Sequence, residues 1–372
     1  MRIILSFLLL TSVYFASFSQ KPRPRELGIS FGVMHTGQLN AITDVPGVSV
    51  GQFTLHKGAD FHTGVTSILP IQENIFQNKV PAAIFIGNGF GKLAGYTQVE
   101  ELGNIETPVL LTNTMAVSTA MDALIDYTIQ NSENQHIKSV NAVVGETNDG
   151  GLNDIRGRVL TKENMLEAIK NAKAGKVEEG NVGAGAGTMC LGFKGGIGTS
   201  SRVLPKNKGG YTVGVLVQSN FGGVLQIGGK PIGQLLGNHK FKNIENDYKE
   251  DGSCMMVVIT DAPLNVKNLK RLAARAMLGL SRTGGMAANG SGDYVIAIST
   301  AKDLRIAHDS KDMYETFKVL RNNDLDFLFQ GVIEATEEAI INSLFAAEDL
   351  TGFKGFKAEA LPVKKVMELL KN

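Results

Sequence analysis

The stretch Asp251–Leu264, DGSCMMVVITDAPL, joins a polar loop to an unbroken apolar run. The loop, which starts at Gly237, is rich in charge, as is typical of a surface segment, whereas Cys254–Thr260 is typical of a strand buried on both faces. Ser253 is therefore predicted to begin a core strand where a loop enters the interior. Gly252 leaves the preceding carbonyl sterically open, so the serine hydroxyl could attack it and split the chain. The alternative is an ordinary loop that enters a strand.

Polar side chains also stand at the ends of three other predicted strands. They are Asn220 after Val215–Val217, Glu146 after Val140–Val144, and Ser291 and Asp293 before Tyr294–Ser299. Residues i and i+2 of a strand share a face, so Ser291 and Asp293 can point the same way. Each group alone is typical of a turn that satisfies its own polar atoms. Together with Ser253 they predict a site assembled at one edge of a sheet.

Two glycine-rich turns are similar in composition to phosphate-binding loops but lack the flanking residues and elements that such loops require. Gly87–Lys92 has no Ser or Thr after its lysine, and Gly183–Thr188 does not follow a strand. We therefore interpret these glycines as positions where one backbone approaches another beside a tight pocket.

The remaining pattern predicts short strands interleaved with a few helices, as in a layered α/β domain. One predicted strand ends at Leu55. The other predicted strands are Gly64–Leu69, Ala82–Ile86, Pro108–Leu111, Val140–Val144, Thr212–Gln218, Cys254–Thr260 and Tyr294–Ser299. The predicted helices are Met115–Gln130, Lys162–Ala172, a segment after Asn265, and Asp326–Leu350. No repeat or linker divides the chain, so residues 20–372 are expected to form one domain.

The N-terminus has the features of a signal peptide over residues 1–19. Arg2 is followed by the apolar stretch Ile3–Phe15 and by small residues at Ser17–Ser19, so the mature chain is expected to be periplasmic or secreted. A membrane-anchored helix is the alternative, although the apolar stretch is short for one. No later stretch is long and apolar enough to span a bilayer, so no membrane association is expected.

Charge and ligand spacing exclude several classes of function. Lys and Arg total 37 against 36 Asp and Glu, so the chain has no large positive charge that would attract nucleic acid. The six histidines and two cysteines have no metal-ligand spacing, so neither a metal nor another cofactor is expected. Cys190 and Cys254 could form a disulfide in an oxidising compartment or remain two buried thiols.

The ordered motifs of the chain resemble one family, the DmpA-like L-aminopeptidase/D-esterases and β-peptidyl aminopeptidases. The resemblance runs from about Leu27 to about Leu361. It rests on NAITDVPGVSVGQ (Asn40–Gln52), GVTSILP (Gly64–Pro70), GNGFGK (Gly87–Lys92), LTNT (Leu111–Thr114), GETNDGGLND (Gly145–Asp154), VGAGAGT (Val182–Thr188), VQSNFG (Val217–Gly222), DGSCMMVVITDAPL (Asp251–Leu264), RLAARAMLGLSRTG (Arg271–Gly284), NGSGDYVIAIST (Asn289–Thr300) and EATEEAIINSLFAAE (Glu334–Glu348).

The resemblance implies a four-layer αββα sandwich of the type shared with ornithine acetyltransferases. It also implies autocatalytic cleavage between Gly252 and Ser253 into a large chain, residues 20–252, and a small chain, residues 253–372. These chains would assemble into a homo-oligomer, expected to be a tetramer of heterodimers.

The resemblance further implies a role for each matched site residue. Ser253 matches the nucleophile and Asn220 the asparagine of the oxyanion hole, while Ser291 and Asp293 match a hydroxyl–carboxylate pair beside the nucleophile. Some members have Glu where this chain has Asp293. Glu146 matches an acid near the free amine of the substrate, and Asn148 stands where some members have a substrate-binding tyrosine.

The residue types agree with serine aminopeptidase chemistry on short peptides, amides or esters that have a free amine. A serine hydroxyl needs a base, and the α-amine of a new N-terminal serine, with a reference pKa of about 7.7–8.0, can act directly or with Ser291 and Asp293. Two alternatives remain. One is an acyltransferase of the ornithine acetyltransferase type, although those proteins have threonine at the cleavage point. The other is a non-catalytic binding protein.

Overall fold

The computed structural model describes residues 21–242 and 252–371. The predicted signal peptide and most of the polar loop before Gly252 lie outside the described residues. No helix within the described ranges is long and apolar enough to cross a bilayer.

The strands of the described residues range from two residues to twelve. They are β1 Ser49–Lys57, β2 Phe61–Leu69, β3 Asn78–Gly89, β4 Asn104–Ile105, β5 Val109–Asn113, β6 Val143–Thr147, β7 Met189–Cys190, β8 Phe193–Lys194, β9 Gly196–Val203, β10 Thr212–Asn220, β11 Ser253–Thr260, β12 Gly292–Ser299, β13 Ile306–Ala307, β14 Leu350–Thr351 and β15 Lys357–Ala358. The α-helices are α1 Tyr96–Leu102, α2 Val117–Ile129, α3 Lys162–Lys170, α4 Ile232–Leu235, α5 Val266–Arg282, α6 Asp326–Ala346 and α7 Val363–Lys371.

Two sheets carry the fold. The first has the strand order β1-β2-β5-β6, and the second has the order β13-β3-β12-β11-β10-β9, with β4 paired to β3. In the second sheet β11 runs antiparallel to β10 and parallel to β12. Strands β11 and β12, which follow Gly252 in the chain, therefore lie between β10 and β3, which precede it.

Side-chain alternation along the strands separates the inner apolar layer from the outer ones. Met255, Val257 and Ile259 of β11 pack in the core between the two sheets, whereas Cys254, Met256 and Val258 pack in the core beneath α5 and α6. Helices α2 and α3 cover the other face of the first sheet. The layers are thus helix, sheet, sheet and helix, which confirms the predicted αββα sandwich.

The predicted elements are present, and their ends shift by a few residues. Strand β6, for example, begins at Val143 and continues through Glu146, so this acid lies inside the strand and not after it. The sequence pattern did not identify β9, α1 or α7. Strand β9, GIGTSSRV, was not predicted because its sequence is polar, yet seven of its eight residues are buried. Hydrogen bonds satisfy the buried polar groups of this strand. They include bonds from Thr199 Oγ1 to the Val215 carbonyl and from Ser200 Oγ to Asn40 Oδ1.

The glycine-rich turn Gly183–Thr188 lets two backbones approach each other, as predicted. A Cβ on Gly185 would lie 2.4 Å from the Ile197 amide nitrogen, and one on Gly187 would lie 2.2 Å from the His62 carbonyl oxygen. Any side chain at these positions would displace the neighbouring strand.

Candidate active site

Ser253 lies at the first position of β11, between two neighbouring strands. It is opposite Asn220 on β10 and beside Gly292 on β12, and only 5% of it is exposed. Its Oγ donates to the Gly252 carbonyl at 2.5 Å and accepts from the Gly292 amide at 3.2 Å. The same amide donates to the Gly252 carbonyl at 3.2 Å. Two donors therefore polarise the carbonyl that precedes the serine, and the serine hydroxyl is one of them.

Asn220 ends β10 with its amide held on both sides. The Met189 amide donates to Asn220 Oδ1 at 2.9 Å, and Asn220 Nδ2 donates to the Asn148 carbonyl at 2.9 Å. An amide NH₂ has two hydrogens, so one remains for a further acceptor near Ser253. Asn148 itself is exposed, and its side chain accepts from the Gly150 amide, which shapes the turn after β6.

Ser291 and Asp293 are both buried at the start of β12, next to β11. Burial raises the pKa of Asp293 to about 6, while the Ser291 hydroxyl and the Cys254 amide oppose this rise. The Ser291 hydroxyl nevertheless completes no hydrogen bond of good geometry to a described residue, and neither does the carboxylate. Strand alternation places Asp293 on the face of Cys254, so it adjoins the nucleophile through the backbone and not side chain to side chain.

Glu146 is almost fully buried on β6 of the first sheet, beside the turn that follows β3. Its Oε1 accepts from the Lys92 amide at 2.7 Å, and its Oε2 accepts from the Thr114 hydroxyl. A Cβ on Gly91 would lie 3.1 Å from Glu146 Oε1 and 3.1 Å from Gly292 Cα. Only the glycine backbone of this turn therefore separates the carboxylate from the strand beside Ser253.

Sequence reasoning overlooked Tyr294 as a neighbour of Glu146. Burial and then the charge of Glu146 raise the pKa of the Tyr294 phenol, and the Gly91 amide opposes the rise. In the sequence Tyr294 looks like any aromatic residue of a core strand, so no local signal separated it from the core.

Sequence reasoning also missed Lys194, a buried lysine whose pKa is affected by the charge of the buried Asp149. Lys194 Nζ donates to the carbonyls of Gly185 and Gly195, and burial lowers the pKa of Lys194 to about 7. Burial raises the pKa of Asp149 to about 6, against hydrogen bonds from Thr63 and Asn153. The one signal in the sequence was a single cation within the apolar, glycine-rich stretch LGFKGG, residues 191–196.

A cavity of about 220 Å³ opens beside Asn220, away from Gly292. Its walls include Asn148, Gly187, Met189, Leu191, Phe221 and Lys240. Cys190 also lines it, and Cys254 follows the serine; both cysteines are buried, and no disulfide joins them. Burial raises the pKa of the Cys254 thiol, an effect to which the charges of Asp293 and Cys190 add.

The structure thus brings Asn220, Ser253, Ser291 and Asp293 together at one edge of the second sheet. Glu146 of the first sheet is linked to this edge through Gly91, which adjoins Gly292. Solved structures share this architecture. A β-aminopeptidase from a Burkholderia species is 37% identical, with a TM-score of 0.86 over 94% of this chain and 98% of that one. The L-aminopeptidase D-Ala-esterase/amidase of Ochrobactrum anthropi is 35% identical, with a TM-score of 0.87 over 94% of this chain and 98% of that one. The latter is described as a prototype serine aminopeptidase and a variant of the Ntn hydrolase fold, so the fold and the placement of Ser253 define an N-terminal-nucleophile hydrolase.

Sequence comparison identifies the family. The profile of peptidase family S58 matches residues 40–358. The β-peptidyl aminopeptidase BapA of Sphingosinicella microcystinivorans is 38% identical over 96% of this chain and 94% of its own length. The chain belongs to peptidase family S58 and is a serine aminopeptidase, which confirms the resemblance seen in its motifs.

Proposed function

We propose that this chain is a secreted, self-processing aminopeptidase that releases the N-terminal residue of short peptides, amides or esters. The observation that carries the proposal is the contact of Ser253 Oγ with the Gly252 carbonyl, which the Gly292 amide also polarises. Attack by Oγ on the Gly252 carbonyl carbon would form an ester, and the hydroxyl proton would pass to the departing Ser253 nitrogen. Water would then hydrolyse the ester, freeing the Gly252 carboxylate and leaving Ser253 with an α-amine.

The new α-amine supplies the base that the serine otherwise lacks. Its reference pKa of about 7.7–8.0 leaves part of it neutral near pH 7, so it can take the hydroxyl proton directly, through water, or with Ser291 and Asp293. The second Nδ2 hydrogen of Asn220 would stabilise the developing oxyanion, a contact typically worth about 10²–10³ in turnover. No step requires a bound metal or cofactor.

Glu146 supports selection of substrates with a free amine. A buried carboxylate on one flank of the nucleophile attracts an ammonium group strongly, because few waters screen the pair. The names of the relatives point to β-peptides, L-amino acids and D-alanine esters or amides as substrate classes. Nitroanilides of α-, β- and D-aminoacyl groups, assayed side by side, would distinguish these classes.

Strand order supports assembly from two processed chains. Cleavage before Ser253 would leave β11 and β12 in the middle of the second sheet, paired on both sides with strands of residues 20–252. We propose that the paired chains form homo-oligomers, as a tetramer of heterodimers, and that residues 1–19 direct them to the periplasm or the exterior.

Mass spectrometry of the purified protein tests the processing step. The wild type should give two chains, residues 20–252 and 253–372, with Ser253 as the N-terminus of the second. Ser253→Ala should remain a single inactive chain because no hydroxyl can attack. Ser281→Ala, an exposed serine of α5, is the matched control and should be processed normally. A single intact chain with full activity in the wild type would contradict self-processing.

A further inference from the structure

The short hairpin formed by β7 and β8 determines which way the side-chain amide of Asn220 points. The Met189 amide of β7 donates to Asn220 Oδ1, so the oxygen of the side chain faces the hairpin. The Asn148 carbonyl accepts from Asn220 Nδ2 on the other side. A backbone N–H only donates and a backbone carbonyl only accepts, so these two groups permit one orientation of the amide. In that orientation Nδ2 keeps a hydrogen for the developing oxyanion.

The hairpin is too short to hold this position alone. Each of its strands has two residues. Leu191 and Gly192 join them in a tight turn in which both residues have a positive φ, 53° and 87°. Even a longer isolated hairpin is at most marginally stable in water, and a leucine in the left-handed region adds strain. The place of the Met189 amide therefore depends on bonds between the hairpin and its surroundings.

Lys194 supplies such bonds from the strand opposite Met189. The two residues are direct partners in the pairing of β7 with β8. The Lys194 amide donates to the Glu359 carbonyl at 2.7 Å. Its Nζ donates to the carbonyls of Gly185 and Gly195 at 3.0 Å each, and Gly185 belongs to the glycine-rich turn that leads into β7. The lysine thus ties the second strand of the hairpin to the segment that enters the first strand.

Burial makes a lysine unfavourable at this position unless its donors are needed. No part of Lys194 is exposed. Burial lowers the pKa of Lys194 to about 7, although the charges of Asp149 and Cys190 oppose the decrease. A methionine of similar length would fill the same space without the desolvation of an amine. The lysine is therefore explained by its donors, which join two carbonyls that an apolar side chain could not bond.

We propose that Lys194 is a positioning residue for the aminopeptidase reaction, which holds the hairpin so that the Met189 amide keeps Asn220 Nδ2 directed at the oxyanion. The inference rests on the proposed function, in which Asn220 stabilises that oxyanion. Lys194 bonds backbone groups and acts on the reaction through Met189 and Asn220. Without its donors the hairpin shifts, and the amide of Asn220 loses its single orientation.

Kinetics of Lys194→Met test this role, because methionine keeps the length of the side chain and removes its donors. Rates are expressed per mole of processed small chain, counted by mass spectrometry, so that slower self-processing does not affect the comparison. For the best aminoacyl nitroanilide, kcat should fall about tenfold with little change in KM, since the contact acts in the transition state. In an Asn220→Ala background the same substitution should have no further effect, because the donor that it orients is already absent.

Inhibitor binding separates positioning from a general loss of structure. Ser253 Oγ adds to the carbonyl carbon of an α-amino aldehyde, the hydroxyl proton passes to the α-amine of Ser253, and the aldehyde oxygen becomes an oxyanion near Asn220. The free amino acid that the reaction releases forms no such oxyanion. Lys194→Met should therefore weaken inhibition by the aldehyde about tenfold and leave inhibition by the amino acid unchanged.

Lys79→Met is the matched control. Lys79 is also largely buried, and its Nζ is bonded to Glu106 at 2.6 Å. It lies near the start of β3, at the opposite end of this strand from Gly89, which pairs with Gly292. This variant should lose stability and keep the wild-type kcat and aldehyde inhibition. Lys194→Arg, which retains donors in another geometry, should show a smaller loss that also disappears in the Asn220→Ala background, and it provides the test if Lys194→Met does not fold.

Two results would overturn the role of Lys194. One is an unchanged kcat in Lys194→Met, or a fall in kcat that is equally large in the Asn220→Ala background. The other is an equal loss of inhibition by the aldehyde and by the amino acid. The proposed function would stand in either event. It would be contradicted instead by a wild type that turns over no substrate with a free amine, and its oxyanion step by full turnover in Asn220→Ala alone.

Discussion

The charge of Glu146 lies where almost no water reaches it, yet two donors already satisfy it. The Lys92 amide and the Thr114 hydroxyl each hold one carboxylate oxygen, so the side chain cannot rotate toward solvent. Each oxygen of an ionised carboxylate can accept a further hydrogen bond. A carboxylate that is fixed in this way, one glycine backbone from the strand beside Ser253, could hold an ammonium group at a set distance from the scissile carbonyl, as the proposed amine selection requires.

Glu146→Gln should separate amine recognition from self-processing. Cleavage before Ser253 involves no free amine, so the variant should still yield two chains. It should then lose most of its turnover, about 10- to 100-fold in kcat/KM, on substrates with a free amine, because a neutral amide forms no ion pair. N-acetylated substrates should not improve. Glu101→Gln, an exposed residue of α1, serves as the control. Unchanged selectivity for the free amine would indicate that another acid, with Asp149 next in line, binds it.

Asp293 should make the stability of the protein depend on pH in a defined direction. Burial raises its pKa from 3.8 to about 6. A carboxyl with a higher pKa in the folded state binds its proton more tightly when folded, so its contribution to stability falls as pH rises from about 4 to about 6. Asp293→Asn cannot ionise, so its melting temperature relative to the wild type should increase over this interval. Parallel curves for the two proteins would show that Asp293 has an ordinary pKa.

At the scale of the elements, the contact between α6 and β9 decides how the second sheet is covered. A Cβ on Gly198 would lie 1.9 Å from the Ala339 carbonyl oxygen of the helix. The helix backbone therefore rests directly on the strand backbone. Such proximity lets the polar strand β9 be buried, because Asn342 Nδ2 of the helix can reach the Thr199 carbonyl at 2.8 Å.

Gly198→Ala should destabilise the fold by about 1–3 kcal/mol, since the new methyl group must push α6 off the sheet. Gly331→Ala in the same helix is the matched control. Its nearest neighbours lie 3.5 Å from the new Cβ, and alanine favours the helix by about 1 kcal/mol, so this variant should be neutral or more stable. Urea denaturation of both variants compares them directly, and equal effects would contradict the close contact.

At the scale of the whole molecule, a buried ion network joins the parts of the chain on either side of Gly252. Arg202 on β9 has no exposed side-chain surface, and it donates to Glu334 at 3.1 Å and to Glu338 at 2.7 Å, both on α6. Arg25 binds Glu338 through two nitrogens, and Asn40 Nδ2 donates to the same carboxylate at 2.6 Å. If the chain is cut before Ser253, every one of these contacts connects the two products.

Removing one partner of this network should weaken the assembly strongly. Glu338→Ala leaves the buried Arg202 charge without part of its compensation, and such losses typically cost about 3–5 kcal/mol. Glu337→Ala, one residue earlier, removes a partly exposed pair with Arg282 and no hydrogen bond to Arg202, and it should cost about 1 kcal/mol or less. Melting temperatures and the urea concentration at which the two chains separate measure both effects. Similar losses in the two variants would contradict a role of the network in joining the chains.

Much of the architecture and the site was already determined by the sequence. Apolar runs such as Cys254–Thr260 predict buried strands because the pattern of apolar residues can be read from neighbouring positions in the sequence. Polar residues at strand ends predict a site because the ends of neighbouring strands meet at a common edge of the sheet. Ser253, Asn220, Ser291, Asp293 and Glu146 could be named for this reason, with their roles supplied by the family resemblance.

Tertiary structure alone decided the features whose partners are distant in the chain. Strand β9 is polar, and its burial is possible because its polar groups form hydrogen bonds with residues distant in the chain, such as Asn40, Asn342 and Glu334. Likewise, Tyr294 became a neighbour of Glu146, and Lys194 a neighbour of Asp149, through the packing of separate sheets and turns. The physical reason is that the desolvation of a polar group and its hydrogen-bond or charge partner depend on which groups meet in space. The local pattern of apolar and polar residues indicates only which side chains are buried.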